Sequence, residues 1–510
     1  MMLEEAIRYQ KNKEFEKAKI IFDQILIHNS NNPQLLSQYS ILLFEMGLLD
    51  KAIENITKAL SFDASELNFL NNRAYYYFIK RDFDKSLIDY ESILKLNPLH
   101  DDTFNNIGRV FNKKQKFEEA INQFNQAIKI NPNKYHYYYN RGNSYLRINK
   151  NDEAIEDFTY AIKLNKSHYK SYHNRALAFE NLLKFDKAID DYCHSIQISN
   201  YNESLIGLSF VYLIKGDYQK GWELHERRFL SNEFKKLNKF ENKEKLWSGA
   251  PEDLNEKTIL IHHEQGLGDT IQFCRYLKGF KDMNCKVVVK VQKPLVDLIQ
   301  SLDSEFTVIP HDHSFLDYDY YCPIMSLPYA FRANGYEIPN QTPYLDIPST
   351  KVEQWESLLG PKNKLRIGLA WRGNPNQKND FKRSFKIEDT YDLFTDQFEW
   401  ISLHNDLTSS EKETIKKSNI KDTQDRQSSF MDVAAICKNV DILLTVDTSY
   451  AHLAGSLNKQ VLLMIPYYPD FRWLLDRTDT PWYPNTNLIR HSQNSTWREI
   501  IQETVRKISN

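Results

Sequence analysis

Apolar positions in the first half of the chain follow a helical spacing nested inside a longer one. Ala18, Ala52, Ser86, Ala120, Ala154 and Ala188 fall 34 residues apart without a slip. Four residues after each comes Phe22, Ile56, Tyr90, Phe124, Phe158 or Tyr192, and twelve before each comes Ala6, Ser40, Ala74, Gly108, Gly142 or Ala176. Large residues, Tyr9, Leu43, Tyr77, Phe111, Tyr145 and Phe179, follow that second small column by three positions. Small residues at fixed points let two helices approach closely, and large ones fill the gap to the next pair. Asn97-Pro98 and Asn131-Pro132 close two of the units, because proline cannot continue a helix. A seventh unit, one residue short, carries Ser209, Tyr212 and Gly221. The pattern predicts a stack of helix pairs over residues 1–232.

The second half changes period. After a charged connecting segment over 233–257, apolar runs of strand length alternate with amphipathic stretches. Thr258–His263, Lys286–Val291, Phe306–Pro310 and Tyr320–Pro323 form one set; Leu365–Trp371, Glu399–Leu403, Val440–Val446 and Gln460–Pro466 form another. Such alternation predicts parallel sheets in two Rossmann-like halves, over 258–350 and 351–510, divided near Ile347–Trp355 with a cleft between them. Two strand-to-helix junctions stand out. In the first, β-like Thr258–His263 runs into Glu264-Gln265-Gly266-Leu267-Gly268-Asp269. Ligands sit at such junctions because the loop leaves a strand's carboxyl end and the helix offers unpaired N–H groups. Gly266 and Gly268 are expected to let the backbone turn sharply and lie close to a ligand, with Asp269 on the cleft floor. The alternative is an ordinary helix start, Asp269 favouring the positive end of the dipole. The second junction is Asp447-Thr448-Ser449, whose helix bears His452. Hydroxyls beside free helix N–H groups suit a diphosphate; His452 either reaches that anion or packs as a buried, hydrogen-bonded residue.

Composition narrows the class. At 510 residues the chain exceeds a single core. A net charge of −2 argues against non-specific nucleic-acid binding, and no apolar run is long enough to span a bilayer. The start, Met-Met-Leu-Glu-Glu, shows no basic n-region and no apolar h-region, so no secretory signal is expected. Cys193, Cys274, Cys285, Cys322 and Cys437 are scattered without a C-x-x-C pair, as for reduced thiols in a cytoplasm.

The first half resembles the tetratricopeptide repeat, six units in strict phase. In this register Gln38, Asn72, Asn106, Asn140 and Asn174 occupy one equivalent position. An amide donates to and accepts from one peptide unit, so such a column suits an extended chain. It is similar to the asparagine ladder of the O-GlcNAc transferase family, which implies a polypeptide acceptor; the alternative is that the amides bond to neighbouring helices. The Tyr75–Tyr77 and Tyr137–Tyr139 clusters are expected to pack with one exposed member each.

Over roughly 245–508 the chain resembles the glycosyltransferase family 9 (heptosyltransferase) proteins of the GT-B fold. The resemblance rests on Gly268-Asp269 and on Asp447-Thr448 with His452. The longer wording, Glu264-Gln265 before Gly266 and Trp371-Arg-Gly-Asn-Pro375 with Lys378, Asp380 and Arg383-Ser384, together with Asp470-Phe-Arg-Trp-Leu-Leu-Asp476 and Pro481-Trp-Tyr-Pro484, looks like a bacterial subgroup that couples tetratricopeptide repeats to this domain. The fold implied is an α-solenoid of tetratricopeptide repeats followed by an α/β GT-B fold. The activity implied is inverting, metal-independent sugar transfer from a nucleotide-diphosphate donor, without a further cofactor. Asp269 then matches the base, with Glu264 in reserve. Gly266, Gly268, Gly373, Asn374, Lys378, Arg383, Asp447, Thr448, Ser449 and His452 are expected at the donor, and Asn72, Asn106, Asn140 and Asn174 at a polypeptide or glycan acceptor. Protein partners are expected through the repeats. A rival class is a non-catalytic interaction protein whose second half binds a ligand without turnover; a third reading has transfer to a lipid or surface polysaccharide. Asp317-Tyr-Asp319 mimics a metal motif but precedes a strand, and His311-Asp-His313 lacks further ligands at a useful spacing.

Overall fold

Helix pairs at the predicted spacing open the chain in this computed structural model, which describes residues 2–230, 243–250, 254–314, 317–332, 337–374, 380–492 and 495–509. The helices run from α1 (Met2–Lys11) to α14 (Tyr218–His225). Every member of the two small columns is buried, as is the column of Phe22, Ile56, Tyr90, Phe124, Phe158 and Tyr192. Close approach explains the glycines. A Cβ on Gly108 would lie 2.6 Å from the Phe124 ring and one on Gly142 2.8 Å from the Phe158 ring. Asn97 and Asn131 cap α6 (Phe83–Leu96) and α8 (Phe117–Ile130), so the Asn-Pro pairs end helices as predicted. No tyrosine of the two clusters is exposed: Tyr76, Tyr137 and Tyr138 are buried and the others half-buried, because each helix of the stack is covered by neighbours on two sides.

A buried ion pair recurs in phase with the repeat. Arg73, Arg141 and Arg175 each grip the aspartate sixteen residues on, Asp89, Asp157 and Asp191, through Nε and Nη2. The remaining Nη1 reaches back to Thr57, Asn125 or Thr159. Each arginine therefore ties the second helix of its own pair to that of the preceding pair. The equivalent positions in the intervening repeat are Ile107 and Gln123.

The chain divides into two compact units, Met1–Tyr201 and Asn202–Asn510. The second holds α13 (Asn202–Ile214), α14 and two parallel sheets. The first sheet has the order β3-β2-β1-β4, with β1 at Thr258–His262, β2 at Lys286–Val291, β3 at Thr307–Pro310 and β4 at Tyr320–Pro323. The second has the order β10-β9-β8-β5-β6-β7: β5 Arg366–Ala370, β6 Glu399–Ser402, β7 Ile420–Lys421, β8 Ile442–Val446, β9 Gln460–Ile465 and β10 Thr486–Arg490. Ile367 pairs with Ile442 across β5 and β8, and Ile259 with both Val287 and Tyr320 across β2, β1 and β4. All eight expected strands form. Two edge strands, β7 and β10, carry too few apolar residues to announce themselves. The order reverses beside β1 in one sheet and between β5 and β8 in the other, which are the switch points where loops splay and leave a crevice. Asp319, of the metal-like motif, instead accepts from the Thr258 N–H at 2.8 Å and fixes the start of β1.

Removing one member of a buried pair strands the other's charge, at a cost of about 3–5 kcal/mol. Arg141→Ala should therefore lower the thermal midpoint of the helical signal markedly. Arg141→Ile with Asp157→Gln, which installs the side chains of the neighbouring repeat, should recover most of it. A double variant as unstable as the single one would show that geometry, and not the stranded carboxylate, sets the cost.

Candidate functional site

Loops from the carboxyl ends of β1, β5 and β8 converge on a cleft of about 460 Å³ in the second unit. Gly266, Gly268, Asp269, Gly373, Asn374, Arg383, Asp447, Thr448, Ser449 and His452 all line it. Lys378 lies outside the described residues. Glu264 does not line the cleft. Its carboxylate is fully enclosed and paired with Arg228 at 2.7 Å; burial pushes its pKa up to about 7 against the opposing pull of that guanidinium. A base must reach its proton, so the place found for Glu264 corrects its reserve role: it buttresses the loop from behind.

The helix Leu267–Phe273 starts on Gly266, whose N–H donates to Asp269 Oδ2 at 2.8 Å. Gly266 is extended at φ −72°, and neither glycine of this loop has a positive φ. The turn needs no left-handed backbone. Gly268 is required for a different reason. A Cβ there would stand 2.8 Å from His452 Cδ2 and 3.3 Å from Ser449 Cα, so absence of a side chain lets the two helix starts meet across the cleft.

Asp269 Oδ1 accepts from Arg472 Nη2. Arg472 also donates to Gln272 through Nε and to Asp470 through Nη1 at 2.8 Å, and its guanidinium lies over the Phe273 ring at 5.7 Å. Burial raises the Asp269 pKa, Arg472 opposing it. Across the cleft, burial, with Asp470 beside it, pushes the Asp447 carboxyl up to about 6. Thr448 caps the helix Ser449–Ser456. His452 is neutral: burial holds its pKa well below the usual imidazole value, and Arg472, Arg275 and Arg383 reinforce this. Its Nδ1 meets the Tyr483 hydroxyl at 2.9 Å while its ring stacks on Trp473 at 5.4 Å. His452 thus shapes the wall and offers no cation to an anion.

After β5, Asp380 organises the opposite rim. It pairs with Arg383 Nε at 3.0 Å and accepts from Ser384, whose hydroxyl in turn accepts from the Gly373 N–H. Arg372 is held by Glu411 at 2.6 Å and by Asp406; that guanidinium, with the Thr408 N–H and the Trp371 indole, keeps the Glu411 carboxyl down at about 2 despite burial. Sequence reasoning assigned no role to Arg472, Asp470, Arg372 or Gln292. The Asp470-Phe-Arg-Trp wording was the available signal for the first two, an acid two residues before an arginine that it can orient. Gln292 follows β2 and bonds to Thr270 and to the Gln265 carbonyl. Among the described residues no cluster of His, Cys, Asp and Glu is arranged to hold a metal.

In the repeats, Asn106 donates to Asn71 at 3.4 Å, Asn140 to Asn105 at 2.8 Å, and Asn174 to Asn143 and the Tyr139 hydroxyl. Asn72 is half-buried. Three of the four amides are thus spent on the preceding pair, which is the neighbouring-helix alternative; a free bidentate ladder is not what these side chains form.

Family profiles match in the first unit: "TPR repeat" over residues 108–149, and "Tetratricopeptide repeat" over 136–168 and 169–202. The chain carries tetratricopeptide repeats, which make its first half a protein-interaction scaffold. Protein FlbA of Caulobacter vibrioides is 23% identical over 318 residues, covering 56% of this chain and 52% of FlbA. The chain thus spans about half the length of that curated relative. Among solved structures, a tetratricopeptide repeat protein from Parabacteroides merdae is 18% identical with a TM-score of 0.40, covering 45% of this chain and 92% of its own. MamA is 22% identical with a TM-score of 0.30, covering 32% and 96%. No described helix is long and apolar enough to cross a membrane.

Filling the contact at Gly268 separates close approach from backbone freedom. Gly268→Val should cost about 1–3 kcal/mol, the scale of overpacking, whereas Gly266→Ala, whose nearest neighbour is the mobile end of Asp269 at 3.2 Å, should cost far less. Equal losses in denaturant unfolding would contradict this assignment.

Proposed function

We propose that the second unit is a metal-independent, inverting glycosyltransferase of the GT-B type and that the repeats recruit its acceptor, a polypeptide. The observation that carries this reading is the meeting, in one cleft, of a carboxylate on one sheet's loop with an anion-suited helix start on the other's. Asp269 faces the cleft from the first turn of the helix after β1; Thr448 and Ser449 face it from the helix start after β8, and Arg383 from the segment after β5. In the reaction the acceptor hydroxyl gives its proton to Asp269 as its oxygen attacks the anomeric carbon. The bond from that carbon to the diphosphate breaks on the opposite face. The electron pair leaves with the diphosphate, where N–H groups at Ser449 and the Arg383 guanidinium meet the developing charge. Asp447, whose carboxyl is pushed up to about 6, orients a donor hydroxyl or the loop and repels the phosphates only once it ionises.

A second reading, ligand binding without turnover, draws support from the partners of Asp269: one oxygen takes the Gly266 N–H and the other the Arg472 guanidinium. A base so engaged retains lone pairs but is weakened. Turnover decides between the two. Asp269→Asn should cut transfer from a nucleotide sugar by about 10²–10⁴-fold and leave donor affinity near the parental value. Parental turnover in that variant would remove Asp269 as the base, and donor binding with no transfer by the parent protein to any polypeptide would favour the second reading.

Donor affinity should also depend on pH in a defined direction. Asp447 is neutral below about 6 and anionic above it, whereas the diphosphate of a nucleotide sugar keeps its charge over this range. Binding should therefore weaken as pH rises through 6. In stability terms the sign is the same: a carboxyl whose folded pKa is raised contributes less to stability as pH climbs from the ordinary carboxylate value towards 6. Asp447→Asn should flatten the calorimetric binding profile; an unchanged slope would assign the pH dependence to another group.

A further inference from the structure

The last helix pair is built into the second unit in a way its sequence phase does not announce. The unit begins at Asn202, so α13 and α14 belong with the sheets. Trp222 of α14 is fully buried and stands edge-on to two rings at 5.7 Å: Phe273, at the end of the helix that bears Asp269, and Phe471, between Asp470 and Arg472. Phe210 of α13 meets the same Phe471 at 6.0 Å. Just past α14, Arg228 donates to Glu264 and to the Ser326 hydroxyl, and Ser326 donates to Glu226. Glu264 is the residue before cleft-lining Gln265.

We infer that the α13–α14 hairpin is a positioning device for the cleft, holding from behind the two loops whose side chains form the Asp269–Arg472 pair. Trp222 is wedged against Phe273, at the end of the helix that the glycine loop opens, and against Phe471, beside Arg472, and Arg228 fixes the root of the glycine loop through Glu264. Neither touches the cleft, and both act through the residues that line it. The hairpin retains the repeat's own packing, since a Cβ on Gly221 would strike Leu213, but its outer surface is spent on the sheets' loops. It follows α12 (Phe185–Ser199) in the chain after Asn200 and Tyr201. The inference stands whether or not the cleft transfers sugars.

Hydrogen–deuterium exchange on the full-length protein tests it. In Trp222→Leu, amides over 264–273 and 470–474 should exchange at least ten-fold faster, while those of β1, β8 and the helices over 33–199 keep the parental rate. Arg228→Gln should do the same over 264–273, and Arg228→Lys, which keeps the charge facing Glu264, should restore protection. Parental exchange in both cleft segments of a folded Trp222→Leu protein, or acceleration confined to α13 and α14, would overturn the inference. So would equal loss of protection in Arg228→Lys and Arg228→Gln, since a merely space-filling arginine needs no charge. If Arg228→Gln does not fold, Trp222→Leu alone decides. Failure of the parent protein to bind any nucleotide sugar would remove the transferase reading and leave these exchange results standing.

Discussion

The ion pair between Asp269 and Arg472 is the contact on which the second unit depends. It joins residues 203 apart in sequence, one in the first turn of the helix after β1 and the other in the segment after β9. Both charges are largely out of water. Burying a charge is costly unless it is paired and its remaining hydrogen bonds are met, and here they are: Asp269 also takes the Gly266 N–H, and Arg472 also serves Gln272 and Asp470. Such a pair contributes modest net stability but penalises every arrangement that separates its members. It therefore sets the register of one sheet's loops against the other's. Gly268 allows the same approach a few ångströms away, where the two helix starts touch.

A second buried cation secures the arrangement without any acid. Arg275 donates to the Gln272, Trp482 and Pro339 carbonyls and to the Tyr344 hydroxyl, and its guanidinium lies 4.6 Å from the Tyr344 and Tyr483 rings. Carbonyl dipoles and aromatic faces replace its hydration. Tyr483 then holds His452, so the neutral histidine of the cleft wall is supported by the same arginine that clamps the sheets. In the proposed reading this rigidity has a use. Electrostatic stabilisation of a leaving diphosphate is effective when the groups that meet the charge are already in place.

How much was legible in the sequence follows from what each feature depends on. The repeats were legible because their packing is local: a small residue and the ring it faces recur every 34 positions, and both lie within one helix pair. The Arg73–Asp89, Arg141–Asp157 and Arg175–Asp191 pairs recur with the same period but were not legible, because the column is broken at Ile107 and Gln123 and a charge pair does not announce its own burial. The interior strands declared themselves by unbroken apolar runs; β10, reading Thr-Asn-Leu-Ile-Arg at a sheet edge, did not. At the site, the glycine loop and the Asp447-Thr448-Ser449 helix start were visible as local chemistry. Their meeting was not, since Arg472 reaches Asp269 only through the tertiary fold. Glu264 shows the limit from the other side: a carboxylate beside a glycine loop reads as a base until Arg228 is found covering it.

The central claim is that this pair organises a cleft for a nucleoside diphosphate. Its most direct test is a crystal structure of the full-length protein soaked with nucleoside diphosphates of the common bases. The account predicts diphosphate density against the Ser449 N–H and the Arg383 guanidinium, with Asp269 facing it from the other loop. Density for the nucleotide elsewhere on the protein, or none in this cleft at millimolar concentration, would contradict it.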